Sequence, residues 1–230
     1  MRIAGFQALS LLDYPERPCA IVFTQGCPLR CGYCHNPSLI PHEAAGGLLA
    51  VDDVLARLDA HAATVDAVCV TGGEPTVQPG LLPFLRVLKE RGFAVKLDTN
   101  GVHPDLLADV LEQGLADYVA MDLKHDWDGY EGVAGALPAA IRNIRRSFGL
   151  LREAAVPHEF RTTVVPAYHT EEDLERMADL LPDGTFWAWQ PVRYGNTLDP
   201  DLPRLPPMPL EDVRARILAR RPSLRILIRP

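Results

Sequence analysis

The chain has 230 residues, 47% hydrophobic and 23% charged, a balance that suits one substantial globular core. A formal charge of −7 argues against a nucleic-acid surface, which needs clustered Lys and Arg to meet phosphates. No run approaches the roughly 18 apolar residues of a membrane span, and the start, MRIAGFQALSLLDYPERP, runs into Asp13, Pro15 and Pro18 without an A-x-A-like cleavage pattern, unlike a signal peptide.

Past a lead-in over 1–18, a β-rich apolar run predicts a strand at 19–23, and Val54, Leu55 and Leu58 mark one face of a helix over 52–61. A strand at 67–71 precedes a helix over 81–91, where Leu81, Leu82, Leu85 and Leu88 recur and Gly92 stops the pattern. Next come a strand at 94–98, a helix over 104–113 with Pro104 in its first turn, and a strand at 118–122. A helix over 139–153, a strand at 159–165 and a helix over 171–181 behind a Thr170 N-cap follow. A strand at 185–190, a helix over 209–220 and an edge strand at 224–228 close the chain. This alternation implies parallel strands joined by right-handed crossovers. Six such units fit a partial (β/α)6 TIM-like barrel, with an open doubly wound sheet as the alternative. The chain reads as one domain over 1–230, its core roughly 19–193 and a C-terminal extension over 194–230.

Barrels of this kind gather their chemistry at the C-terminal ends of the strands. The first strand runs into TQGCPLRCGYCHN, the second into TGGEP (71–75), the third into DTNG (98–101) and the fourth into DLK (122–124). The fifth ends at VVP (164–166) and the sixth at QPVR (190–193), so parallel strands would bring all six stretches to one mouth. Three of the five cysteines, Cys27, Cys31 and Cys34, are spaced C-x3-C-x2-C, which suits a metal in a reducing compartment better than a disulfide framework. Thiolates serve zinc, with His35 available as a fourth ligand, or three irons of a [4Fe–4S] cluster whose fourth iron stays open. Cys19 and Cys69, isolated among apolar neighbours, read as small buried hydrophobes. The tryptophans read as packing residues.

C-x3-C-x2-C with Tyr33 before the last cysteine resembles the signature of radical S-adenosylmethionine (SAM) enzymes. GCPLRCGYCHNP followed by GGEP, DTNG and DLK, together with the lead-in SLLDYPERPCAIVFTQG, is similar to the glycyl-radical-enzyme activases, in particular those of anaerobic ribonucleoside-triphosphate reductase. The likeness covers roughly residues 5–200. It implies a [4Fe–4S] cluster on Cys27, Cys31 and Cys34, with SAM chelating the open iron and cleaved reductively there, so that hydrogen abstraction needs no acid–base pair.

The same resemblance places SAM against Gly72, Gly73 and Glu74, against Asp98, Thr99 and Asn100, and against Lys124, which faces the SAM carboxylate. Tyr33, His35 and Asp122 complete that side. In pyruvate formate-lyase activase the positions matching Asp98, Thr99, the Ala120 carbonyl and Asp122 hold a monovalent cation. The activases often carry a histidine at the sixth strand to touch the ribose; here Arg193 stands there, with Gln190 an equal candidate. No further cysteine cluster exists to hold an auxiliary centre.

The resemblance implies a cytoplasmic activase that takes a glycine α-hydrogen from a glycyl radical enzyme and receives electrons from a flavoprotein. Two alternatives stand beside it: a radical SAM enzyme acting on a small molecule, such as a deazaguanine-forming synthase, and a non-enzymatic Cys3His zinc module.

Overall fold

The computed structural model describes residues 1–44 and 46–229. Its strands are β1 (Ile3–Ser10), β2 (Cys19–Thr24), β3 (Ala67–Gly72), β4 (Ala94–Thr99), β5 (Tyr118–Asp122), β6 (His158–Val164), β7 (Phe186–Pro191) and β8 (Arg225–Ile228). They form one sheet in the order β1 to β8, with β1 antiparallel to β2 and every later pair parallel. Parallel neighbours require crossovers. These come from α1 (Val51–His61), α2 (Leu81–Glu90), α3 (Pro104–Glu112), α5 (Pro138–Glu153), α6 (Glu171–Leu180) and α7 (Leu210–Arg220), with a short α4 (Tyr130–Ala134) ahead of α5. A strand order without reversal rules out the doubly wound alternative, which needs a switch point. The six βα units from β2 to α7 form the expected partial barrel, and β1 and β8 end it without pairing to each other.

Each expected strand and helix forms, with ends shifted by no more than one residue. Thr170 caps α6 as expected and does so reciprocally, its hydroxyl accepting from the Asp173 amide while Asp173 accepts from the Thr170 amide. β1 falls in the lead-in, where no strand is expected. Its pairing with β2 slips between Ile3 and Gly5 and again between Gln7 and Ser10, which breaks the two-residue alternation that marks a strand in sequence. Among the described residues no helix is long and apolar enough to cross a membrane.

Alternation along the strands sorts side chains to two faces. Val68, Val70, Val95, Leu97, Val119, Met121, Phe160, Trp187 and Trp189 point outward into the main core with the helices. The inward face is different in kind. Cys19, Ile21, Ala67 and Cys69 pack there with Tyr14, and the inward positions of β4 to β6 carry Lys96, Asp98, Asp122, Glu159 and Arg161. Cys19 and Cys69 are fully buried, as small hydrophobes would be, and burial pushes the Cys19 thiol up to about 11. Arg229, just beyond β8, joins the inward face by pairing with the buried carboxylate of Glu159 (Nη2–Oε2 2.6 Å), so the last strand closes a charge account inside the barrel.

Trp187 and Trp189 are both fully buried, yet only Trp187 has a partner for its ring nitrogen, donating to Thr162 Oγ1 at 2.8 Å. The Trp189 nitrogen has none. Replacing either by Phe leaves a comparable void, but Trp187→Phe also loses a buried hydrogen bond and is expected to cost about 1 kcal/mol more than Trp189→Phe. Urea unfolding of the two variants checks this; equal losses would contradict it.

Candidate functional site

The parallel strands deliver their C-terminal ends to one side, and the polar motifs there wall a single cavity of about 520 Å³. Every expected site residue lines it: Cys27, Cys31, Tyr33, Cys34, His35, Gly72, Gly73, Glu74, Asp98, Thr99, Asn100, Asp122, Lys124, Gln190 and Arg193.

The cysteine loop is held mostly through its backbone. Gly26 N and Cys27 N donate to Leu39 O and Ile40 O at 2.8 and 3.0 Å, folding the loop back on the turn Pro37–Leu39. Arg30 N donates to Ala134 O on α4 at 3.0 Å. The C-terminal extension clasps the other side, with Asp199 N donating to Gly32 O at 2.8 Å and Leu198 N to Cys34 O at 3.2 Å. Burial pushes the Cys27 thiol up to about 12, with the nearby Glu74 carboxylate adding to the effect, and burial raises Cys31 as well. None of the five cysteines is in a disulfide.

Gly72 and Gly73 explain themselves by contact. Gly72 has φ +117°, and a Cβ there would lie 2.3 Å from Thr24 N; one on Gly73 would lie 2.3 Å from Gly26 O. The close approach that glycine permits is therefore to the chain's own cysteine-loop backbone, which Glu74 N extends by donating to Gly26 O at 2.8 Å. The Glu74 carboxylate then ties this stretch to DTNG: Oε1 accepts from Thr76 Oγ1 at 2.6 Å and Thr99 Oγ1 at 2.7 Å, and Oε2 from Asn100 N at 2.6 Å. Burial raises its pKa against the pull of those donors. Asn100 Nδ2 lies 3.6 Å from Cys27 Sγ, where it can donate to the sulfur.

Opposite the cysteines lies a buried charge network. Asp98 Oδ1 accepts from Lys96 Nζ at 2.5 Å and Oδ2 from Arg161 Nη1 at 2.7 Å. Asp122 Oδ1 accepts from Arg161 Nε and Nη2 at 3.1 and 3.0 Å, and Oδ2 from Lys124 Nζ at 3.0 Å. Burial alone would raise both carboxyls, but Arg161 and Lys96 hold Asp98 below the usual carboxylate range, and Lys124 and Arg161 do the same for Asp122. Burial opposes the charge on Lys124; Asp122 outweighs it and raises the ammonium well above its ordinary pKa. The Lys124 ammonium stands 5.9 Å from the centre of the Tyr33 ring. His169 fixes the backbone beneath it, accepting from Val165 N at 3.1 Å through Nδ1 and donating from Nε2 to Lys124 O at 2.8 Å.

His35 turns away from the cysteines, its Nε2 2.9 Å from Arg193 O and 3.2 Å from Arg193 N, so it fastens the cysteine loop to the end of β7. The expected cation ligands are not open either: all four oxygens of Asp98 and Asp122 are taken by cationic side chains, and the Thr99 hydroxyl is spent on Glu74. Arg161 and Lys96 are the two participants that sequence reading missed. Their signal was there: in HEFRTTV the two-residue period puts Glu159, Arg161 and Thr163 on one face, and in AVKLDT it puts Lys96 with Asp98.

Because both carboxyls titrate below their unfolded values of about 4, their contribution to stability is complete above that pH and lost as pH falls through the folded values. The urea midpoint of the cofactor-free protein should therefore fall below about pH 4, and Asp122→Asn should flatten the decline. An identical pH profile in the variant would contradict this.

The model of the radical SAM superfamily matches residues 21–181. A candidate glycyl-radical enzyme activating enzyme of Methanocaldococcus jannaschii is 35% identical over 214 residues, 91% of this chain and 87% of the relative. The pyruvate formate-lyase-activating enzyme of Clostridium pasteurianum is 29% identical over 78% of this chain and 76% of its own. Among solved structures, QueE from Escherichia coli shares the fold with a TM-score of 0.55 at 18% identity, covering 99% of this chain and 93% of that one. The chain belongs to the radical SAM superfamily and, within it, to the glycyl-radical enzyme activating enzymes, whose cofactors are a [4Fe–4S] cluster and SAM.

Proposed function

We propose that this protein takes the α-hydrogen of a backbone glycine in a partner glycyl radical enzyme, the partner being anaerobic ribonucleoside-triphosphate reductase. The observation that carries this reading is a second cavity of about 550 Å³. It lies between the lead-in segment from Leu11 to Glu16 and the inward residues of β6 and β7, and it shares Asp13, His35, Arg161, Thr163, Gln190 and Arg193 with the first. The unclosed side of the barrel thus leads directly to the cofactor site, where a loop of the partner would enter. Leu11 and Leu12, 73% and 90% exposed, stand at its rim and offer apolar contact to an approaching protein.

In this reading Cys27, Cys31 and Cys34 hold the cluster and leave one iron open. His35, the fourth ligand that a Cys3His zinc site would need, is engaged with the Arg193 backbone instead. That engagement favours a cluster over the zinc module. When bound, the cluster and SAM supply one-electron cleavage of the sulfonium and the hydrogen abstraction that follows. The chain's own residues would orient SAM: Lys124 would meet its carboxylate, the backbone at Gly72 and Gly73 would border the amino group, Asn100 would add a contact, and Gln190 and Arg193 would border the ribose. Tyr33 and Leu29, buried beside the thiols, keep water from the cluster.

A reducing cytoplasm suits five unpaired cysteines, and a flavoprotein is the fitting electron donor. A small-molecule substrate is the competing reading. Electron paramagnetic resonance on the anaerobically reconstituted, reduced protein with SAM and the host's anaerobic reductase separates the two, with 5′-deoxyadenosine assayed in the same tube. A glycyl-radical doublet on the reductase is the expected result. Deoxyadenosine release without a doublet, from a proven cluster-loaded sample, would overturn the assignment of the partner.

A further inference from the structure

The expected monovalent cation does not fit this site, and the misfit has a specific form. A cation held by Asp98 and Asp122 needs carboxylate oxygens with free lone pairs directed at one point. Here Asp98 is held between the Lys96 ammonium at 2.5 Å and the Arg161 guanidinium at 2.7 Å. Asp122 is held between the same guanidinium at 3.0 Å and the Lys124 ammonium, also at 3.0 Å. Lys96 is buried, with Cys69 Sγ 3.8 Å from its nitrogen, and Asp98 is the carboxylate that its ammonium pairs with. A metal ion entering between the carboxylates would meet Arg161 at contact distance and would have to displace a guanidinium that makes three hydrogen bonds.

We propose that Lys96 and Arg161 take the place of the monovalent cation, so that SAM binds this protein without an ion cofactor. Two covalently attached charges do what a diffusible ion would do: they neutralise the carboxylate pair and leave Lys124 directed at the cavity. Three cationic groups face two carboxylates in the network, and the surplus positive charge is the complement of the one carboxylate that SAM brings. Lys96 lines the lateral cavity rather than the cofactor cavity. It is thus a positioning residue that acts on SAM through Asp98 and Arg161. The inference rests on the family's SAM site and is independent of which partner protein is activated.

The test is SAM binding to the cluster-loaded, unreduced protein by equilibrium dialysis, in potassium, sodium or choline chloride at one ionic strength. The native protein should hold SAM with a dissociation constant that differs by less than about twofold among the three salts. A saturable tightening by potassium or sodium of about tenfold, the usual size of coupling between two bound groups, would overturn the proposal. Lys96→Met opens one oxygen of Asp98 and should acquire such a potassium dependence, while Lys96→Arg should remain ion-independent. A Lys96→Met protein that binds SAM as tightly as the native one in choline would also overturn it. Should that variant fail to fold, the salt series on the native protein and on Lys96→Arg still decides.

Discussion

The guanidinium of Arg161 joins three strands at the point where the chemistry is assembled. It reaches from β6 to Asp98 on β4 and Asp122 on β5, and both acids have a lysine two residues away in sequence that completes their coordination. A buried ion pair rarely stabilises a fold over an apolar isostere, and breaking one leaves an uncompensated charge in a poor solvent. Such a network therefore makes the geometry exacting more than it makes the protein stable. The interior of an ordinary (β/α) barrel is filled with branched apolar side chains. This barrel keeps a small apolar cluster inside β2 and β3 but gives that packing up on the inward side of β4 to β6, and its main core lies outside, between sheet and helices.

The cysteine loop obeys a different constraint. Its cysteines pack against the main core, but packing alone does not set the path of the loop. The loop is positioned by main-chain hydrogen bonds to three separate parts of the chain: the turn after it, α4, and the extension after β7. Gly72 and Gly73 admit the neighbouring loop against this backbone, and Glu74 passes the connection on to Thr99 and Asn100. The two walls of the cavity, thiol and ionic, are consequently linked through Glu74 and β4. An error at one is felt at the other, which is how proteins keep a site within the tolerance that its chemistry needs.

Much of this was legible in the sequence. Strands and helices alternate with strong periods, and stop residues such as Gly92 and Gly114 stand where the patterns end, so element boundaries followed closely. The cysteine spacing and the motifs GGEP, DTNG and DLK carried the cavity. What stayed hidden depends on pairings between distant segments. β1 is obscured by its bulges, and its role as a strand exists only in its contact with β2. Arg161 and Lys96 look like solvent-facing residues of half-exposed strands, because a sequence does not say that the inward face of this barrel is ionic. His35 reads in the sequence as a metal ligand or a SAM contact, and its role as a clasp exists only because Arg193, 158 residues away, supplies a backbone carbonyl.

In the reading proposed above, three thiolates leave one iron open for SAM beside a wall whose surplus charge receives its carboxylate. Electron–nuclear double resonance on the reduced cluster, with SAM isotopically labelled in its amine and carboxylate, tests this most directly. Hyperfine coupling from both groups to the cluster is the expected result. A fully loaded, reduced cluster that shows coupling from neither, with SAM bound at saturation, would contradict it.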